Sequence, residues 1–257
     1  MNNSQATKPK RLISRGDIFL LGSHKLLVGD ARDTEAVNRL LGDEEISLIL
    51  ADPPYGISVV QSKEGFANLR FKKNIENDDI SSEAEYSKFT SNWLFPVVDK
   101  LERYNSAYIF NSDKMIFALR EGMQNAGFNF SQLLIWIKNH SVIGRKDYLP
   151  AHELIAFGWH GTHKFMKAKD KSVIYCPKPN KSALHSTMKP VSLIRRLILN
   201  SSKIGDVVYD PFLGSGTCVI ASEHTRRRCF GIEVDLEHCQ TIINRFEKLT
   251  GIKAKKL

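Results

Sequence analysis

Two short segments of this 257-residue chain bring together residue types that chemistry needs. Asp52-Pro53-Pro54-Tyr55 sets a carboxylate, two constrained residues and a phenol directly after the apolar run Ile46 to Leu50. Asp210-Pro211-Phe212-Leu213-Gly214-Ser215-Gly216-Thr217 follows a second apolar run, Val207 to Tyr209. The first suits an exocyclic aromatic amine such as N6 of adenine, a poor nucleophile because its lone pair is delocalised into the ring. The Asp52 carboxylate and the Pro53 carbonyl can accept its two N–H bonds, pull the nitrogen towards tetrahedral geometry and free the lone pair. Pro53 and Pro54 fix the direction of those acceptors. Tyr55 offers a face on which a base taken out of a duplex can stack. No covalent nucleophile is needed, and none of Cys176, Cys218, Cys229 or Cys239 lies nearby in sequence. Alone, Asp-Pro-Pro also reads as a stiff turn ending a strand, so the chemical reading depends on its company.

That company is the glycine loop and two acids. Gly214 and Gly216 let backbone approach a ligand, and Thr217 opens a helix whose free N–H groups can hold a carboxylate. Val219 occupies the third glycine position of a dinucleotide fingerprint, which disfavours a nicotinamide dehydrogenase, and a phosphate-binding loop would need Gly-Lys-Ser/Thr. A plain strand-to-helix turn is the alternative. Glu233, in Phe-Gly-Ile-Glu-Val-Asp, stands where an acid can hydrogen-bond ribose hydroxyls, with Val234 beside it. Asp30, followed by Ala31, ends another apolar run and could accept from an adenine amino group, or could be a helix cap or a solvated acid.

Short apolar runs alternating with helical patterns predict a βα-layered sheet. Strands are expected over 25–28, 47–51, 107–111, 133–138, 153–159, 207–210 and 229–234. Helices are expected over 33–41, 83–95, 114–126, 189–202, 217–226 and 235–249. Pro96 and Gly127 are placed to end two of them, and Asp235 to cap the last. That last helix should bury Leu236, Ile243, Phe246 and Leu249. Three polar stretches, 56–80, 139–150 and 160–188, resist the scheme and read as loops.

The chain carries 37 basic and 28 acidic residues, a net charge of +9. Such an excess favours a polyanionic partner, nucleic acid being the commonest, although solubility alone also accounts for it. The loops concentrate it: Lys63, Arg70, Lys72 and Lys73 in the first, Arg145 and Lys146 in the second, Lys164, Lys167 and Lys169 in the third. Basic loops suit phosphate contact, and a solvated surface is the competing reading. No apolar run is long enough for a membrane span, and residues 1–14 read as a disordered basic arm rather than a secretory leader. The four cysteines read as reduced, mostly buried thiols of a cytoplasmic protein. His160 and His163 lack companion ligands and read as surface residues, so no metal site is expected.

The whole pattern resembles the β group of S-adenosylmethionine (SAM)-dependent DNA amino-methyltransferases of the Asp-Pro-Pro-Tyr type. Leu27-Val28-Gly29-Asp30-Ala31 and Leu48 to Gly56 look like the group's opening, and His185-Ser186-Thr187-Met188-Lys189-Pro190 and Ile204 to Phe212 like its closing cofactor block. Leu134 to Lys138 and His152-Glu153 also resemble family elements. The resemblance covers residues 15–250 and implies a Rossmann-like methyltransferase fold. That fold is a mixed, mostly parallel sheet with helices on both faces and a circularly permuted motif order. It implies SAM as cofactor and double-stranded DNA as partner, in a nucleoid-associated role such as restriction-modification. Asp30, Ala31, Asp52, Lys189, Asp210 to Thr217, Glu233 and Val234 would then serve the cofactor, with Lys189 starting a helix that borders its pocket. The activity implied is N6-adenine methylation. Cytosine-N4 methylation, where Ser more often replaces Asp52, and a catalytically silent DNA-binding protein are the alternatives. DNA would be recognised by insertions near 56–80 and 160–185, with 251–257 as a basic tail. The compact recognition region leaves a short target site, or contacts from a second subunit of a homodimer.

Overall fold

The computed structural model describes residues 12–55, 80, 82–141, 147–163, 170–177 and 188–257. The nine loop residues expected at phosphates, and most of the N-terminal arm, lie outside that set.

Ten strands form one sheet in the order β10-β1-β2-β9-β8-β3-β4-β6-β5-β7. They are β1 Ile18–Leu21, β2 His24–Val28, β3 Ile46–Ala51, β4 Leu101–Asn111, β5 Phe128–Ile137, β6 His152–His160, β7 Val173–Tyr175, β8 Val207–Asp210, β9 Arg228–Glu233 and β10 Lys255–Lys256. The central run from β2 to β4 is parallel. β6 is antiparallel to both β4 and β5, and at the other end of the sheet a hairpin of β1 and β2 is flanked by the edge strand β10. Strands β3 and β8, distant in sequence, are neighbours at the centre. The chain leaves them in opposite directions along the sheet, β3 towards β4 and β8 towards β9. That is a topological switch point, where open α/β sheets hold a ligand in the crevice outside the carboxyl ends of the strands.

Both faces of the central strands are buried, which is why these segments read as unbroken apolar runs. Helices α1 (Thr34–Leu41), α2 (Glu83–Leu94) and α3 (Ile116–Asn125) cover one face, with Leu40, Tyr86, Trp93 and Leu119 packed on Ile49, Ile109 and Tyr209. Helices α4 (Val191–Ser201), α5 (Thr217–Thr225) and α6 (Leu236–Thr250) cover the other, with Leu197, Val219 and Phe246 packed around Leu48, Tyr108 and Val208. Asp235 caps α6 as read, accepting from Glu237 and His238; Asp33 also caps α1, and Ser82 and Glu85 form a capping box on α2. From Phe95 to Lys100, with Pro96 near its start, the chain tightens into a 3-10 helix, and Gly127, at φ +82°, follows α3 in the left-handed region.

Four expectations need correction. Helix α6 buries Cys239, Ile242, Ile243 and Phe246, whereas Leu236 and Leu249 are exposed, since they flank the buried stripe rather than lie in it. The stretch 160–188, read as a loop, holds β7, which pairs in parallel with β5 through Ile135, Trp136 and Ile137. The C-terminal basic tail is tied down: Lys255 and Lys256 pair with Leu20 and Phe19, and Ala254 is buried. His163 stacks on Trp159 with ring centroids 4.4 Å apart instead of standing free at the surface. The four cysteines are free and buried, as read.

Candidate active site

The two chemical segments meet at the switch point because they follow β3 and β8. Asp52 leaves the end of β3, and Asp210 is the last residue of β8. Pro53 is buried while Asp52 and Tyr55 are half-buried, so the turn is anchored and its polar groups face the crevice. The Tyr55 hydroxyl donates to Asp52 Oδ1 at 2.8 Å. The Lys189 ammonium lies 2.6 Å from Asp52 Oδ2, 3.1 Å from Glu153 Oε2 and 3.3 Å from the Tyr55 hydroxyl oxygen. Lys138 completes the group at 2.7 Å from Glu153 Oε1. Two carboxylates and two ammoniums thus balance in a small volume. Burial alone would raise the Glu153 carboxyl, but Lys189 and Lys138 hold it down to about 2. Burial likewise works against the Lys189 charge, and Asp52 and Glu153 reverse it, leaving this amine above its ordinary range. Burial, then the charges of Asp52 and Glu153, push the Tyr55 phenol well above its usual value, so it stays a hydrogen-bond donor.

On the other side of the switch point, the loop 210–217 crosses to α5. Gly216, at φ +79°, is the residue before the helix, and a Cβ there would lie 2.9 Å from Ile242. No side chain caps α5. The Thr217 hydroxyl is buried without a hydrogen-bond partner. Glu233, at the end of β9, accepts from Gly214 N–H at 2.7 Å and from Asp235 N–H at 2.8 Å, so it braces the glycine loop as well as bordering the crevice. Asp210 is 5 % exposed and has no cationic partner among the described residues. Burial, reinforced by the charges of Asp52 and Glu233, pushes its carboxyl up to about 8 despite the Phe212 N–H bond. Asp30 is engaged by Arg32, whose guanidinium reaches both its oxygens, the shorter at 2.6 Å. Ala31 and Pro211 are buried beneath, Val234 is half-buried, and the Phe212 ring packs edge-on against Trp93. Arg245 of α6 donates to the Ser215 carbonyl.

An uncapped helix, an unpartnered buried hydroxyl and a buried acid awaiting a positive charge fit SAM, which carries a carboxylate and a sulfonium cation. The same residues fit a dinucleotide poorly, since its pyrophosphate would meet Asp210.

Sequence reasoning missed Glu153 and Lys138 as site residues. They are 15 positions apart, Lys138 just past the end of β5 and Glu153 on antiparallel β6, and only the register that pairs Trp136 with Glu153 brings them together. A hairpin register over these runs was the signal available. Lys189, expected beside the cofactor, places its ammonium on Asp52.

A doubly wound sheet with an acidic, proline-stiffened turn and a glycine loop at its switch point defines a Rossmann-like methyltransferase. A DNA methylase family of N6 and N4 methyltransferases matches residues 46–245, and the chain belongs to that family, whose members are SAM-dependent. It is 27% identical over 234 residues to the type II methyltransferase M.HpaI of Haemophilus parainfluenzae, covering 80% of this chain and 70% of that one. It is 27% identical over 239 residues to M.HinfI of Haemophilus influenzae, covering 82% and 66%. The crystal structure of an M1.HpyAVI–SAM complex superposes with a TM-score of 0.62 at 21% identity, over 86% of this chain and 98% of that one. The protein is thus an enzyme that transfers a methyl group from SAM to an amino group in DNA. No helix among the described residues is long and apolar enough to cross a membrane.

Proposed function

We propose that the amino group is N6 of adenine and that Asp52 is its acceptor. The observation that carries this reading is the Asp52 carboxylate at the mouth of the switch point, with Oδ2 held by Lys189 and Oδ1 turned to the exchangeable Tyr55 hydroxyl. An amine whose N–H replaces that hydroxyl meets a fixed charged acceptor, and Asp52 can take the proton that the amine gives up. The Pro53 carbonyl, in a buried and rigid turn, is the second acceptor. SAM supplies a methyl group activated by a cationic sulfur. Glu233 and the first turn of α5 hold its polar groups, and Asp210 offsets its charge.

The DNA itself is held by Lys63, Arg70, Lys72, Lys73, Arg145, Lys146, Lys164, Lys167 and Lys169, with recognition by the insertions near 56–80 and 160–185. A homodimer would extend so compact a recognition region, in a nucleoid-associated enzyme of restriction-modification.

Asp52→Ala should lower the single-turnover rate by on the order of 10²-fold or more while calorimetric SAM affinity stays near the parent's. Base analysis of methylated DNA should give N6-methyladenine. N4-methylcytosine as the product, or a near-normal rate in the variant, overturns the assignment.

A further inference from the structure

Each oxygen of the Asp52 acceptor already has a donor before any substrate arrives. Lys189 occupies Oδ2 at 2.6 Å and the Tyr55 hydroxyl occupies Oδ1 at 2.8 Å. An amine N–H arriving along either bond would take the place of one of them. The ammonium is the harder to move, because its three donors are all spoken for: Asp52, Glu153 at 3.1 Å and the Tyr55 oxygen at 3.3 Å. Lys189 is also nine-tenths buried and lies 5.0 Å over the Phe110 ring. The hydroxyl is the exchangeable partner, and a second acceptor already stands 3.3 Å from it, Glu153 Oε2. Glu153 can play that part because Lys138 fixes its other oxygen at 2.7 Å, which orients the carboxylate across the group. A hydroxyl left without an acceptor in this part-buried group would carry a desolvation penalty of up to about 1–3 kcal/mol, and the second acceptor removes it.

We propose that Glu153 is a positioning residue of methyl transfer: it keeps the Lys189 ammonium on Asp52 Oδ2 and receives the Tyr55 hydroxyl when the target amine takes Asp52 Oδ1. The inference rests on Asp52 being the amine's acceptor. Glu153 touches neither base nor cofactor in this scheme; it acts through its two neighbours.

The test is Glu153→Gln in the full-length protein, read by calorimetric SAM affinity and by single-turnover methylation of duplex DNA across pH. The titratable groups around Lys189 are Asp52 and Tyr55 from the turn after β3 and Glu153 from β6 with Lys138 behind it, while Asp210 of β8 feels the charge of Asp52. Removing the Glu153 charge takes away one of two carboxylates that keep Lys189 protonated. SAM affinity should stay within about 2-fold, because Glu233 and α5 are unaltered. The rate should fall by up to about 10²-fold, the usual consequence of a displaced reacting group. An alkaline limb absent from the parent should appear, as Lys189 loses its proton at lower pH than in the parent and Asp52 its anchor. A parental rate and profile overturns the proposal. So does a slower rate without the alkaline limb, which would leave Glu153 a packing role only. Glu153→Gln with Lys138→Met keeps the group neutral and serves where the single variant is unstable, with the same limb expected. Asp52→Ala is run in parallel: an active Asp52→Ala sinks the acceptor assignment itself, whereas an inactive one beside a parental Glu153→Gln sinks this inference alone.

Discussion

Replacing Glu233 by glutamine should destabilise the free protein as well as weaken SAM binding. The carboxylate receives two backbone N–H bonds, from Gly214 at 2.7 Å and Asp235 at 2.8 Å, and the residue is only 8 % exposed. An amide offers one oxygen where two are needed. Whichever way it turns, one N–H then faces an NH2 group. The lost bond is charge-assisted, about 1.5–3 kcal/mol, and the surviving one falls to neutral strength, so the total is about 2–4 kcal/mol. For a chain of this size that corresponds to a fall in Tm on the order of 5–10 °C without ligand. The first link to fail is the tie between the end of β9 and the glycine loop, so the loop's N–H groups lose their placement and SAM affinity falls with them. Differential scanning calorimetry on the SAM-free variant, paired with titration of SAM, measures both effects. A parental Tm combined with weaker SAM binding would refute the bracing role and leave Glu233 acting on the ligand alone.

Asp210→Asn should raise Tm without ligand and weaken SAM binding. The native carboxyl titrates at about 8 against an ordinary 3.8, so the folded state holds a proton that the unfolded chain releases. Stability therefore declines as pH rises between those values, and Tm curves for the two proteins should diverge from about pH 5 to 8; parallel curves would contradict this. Gly231→Ala would place a Cβ 2.5 Å from Leu213 Cγ in the loop above it, a clash worth about 1–3 kcal/mol. Denaturant unfolding should show Leu213→Ala relieving part of that loss, and strict additivity would exclude the contact. Neutralising Lys164, Lys167 and Lys169 should lower the slope of log DNA affinity against log salt by up to ~0.9 per phosphate contact removed, with SAM affinity unchanged. Anisotropy titrations giving the parental slope would move the DNA contacts to 61–73.

Much of this protein is legible in one dimension. Buried parallel strands are apolar on both faces, so β3, β8 and β9 stand out as continuous runs with polar turns behind them. Helix starts are local hydrogen-bonding events, and Asp235 announces one; Asp33 and Ser82 carry the same signal unread. Asp52 and Asp210 could be picked out because backbone rigidity and glycine freedom are properties of adjacent residues. Short edge strands escaped, since β7 and β10 gain their structure from partners rather than from their own pattern. The tertiary structure alone decided which charges meet. Lys189 is 137 residues from Asp52, and Lys138 reaches Glu153 only through the register of β5 on β6. Whether a carboxylate is free, braced or paired depends on groups delivered from other strands. Hence Glu233 proved a support for the glycine loop, Asp30 a partner of Arg32, and Lys189 the anchor of Asp52. Composition shows that charges exist, but their separation and burial set how strongly they act, and only the folded chain defines those quantities.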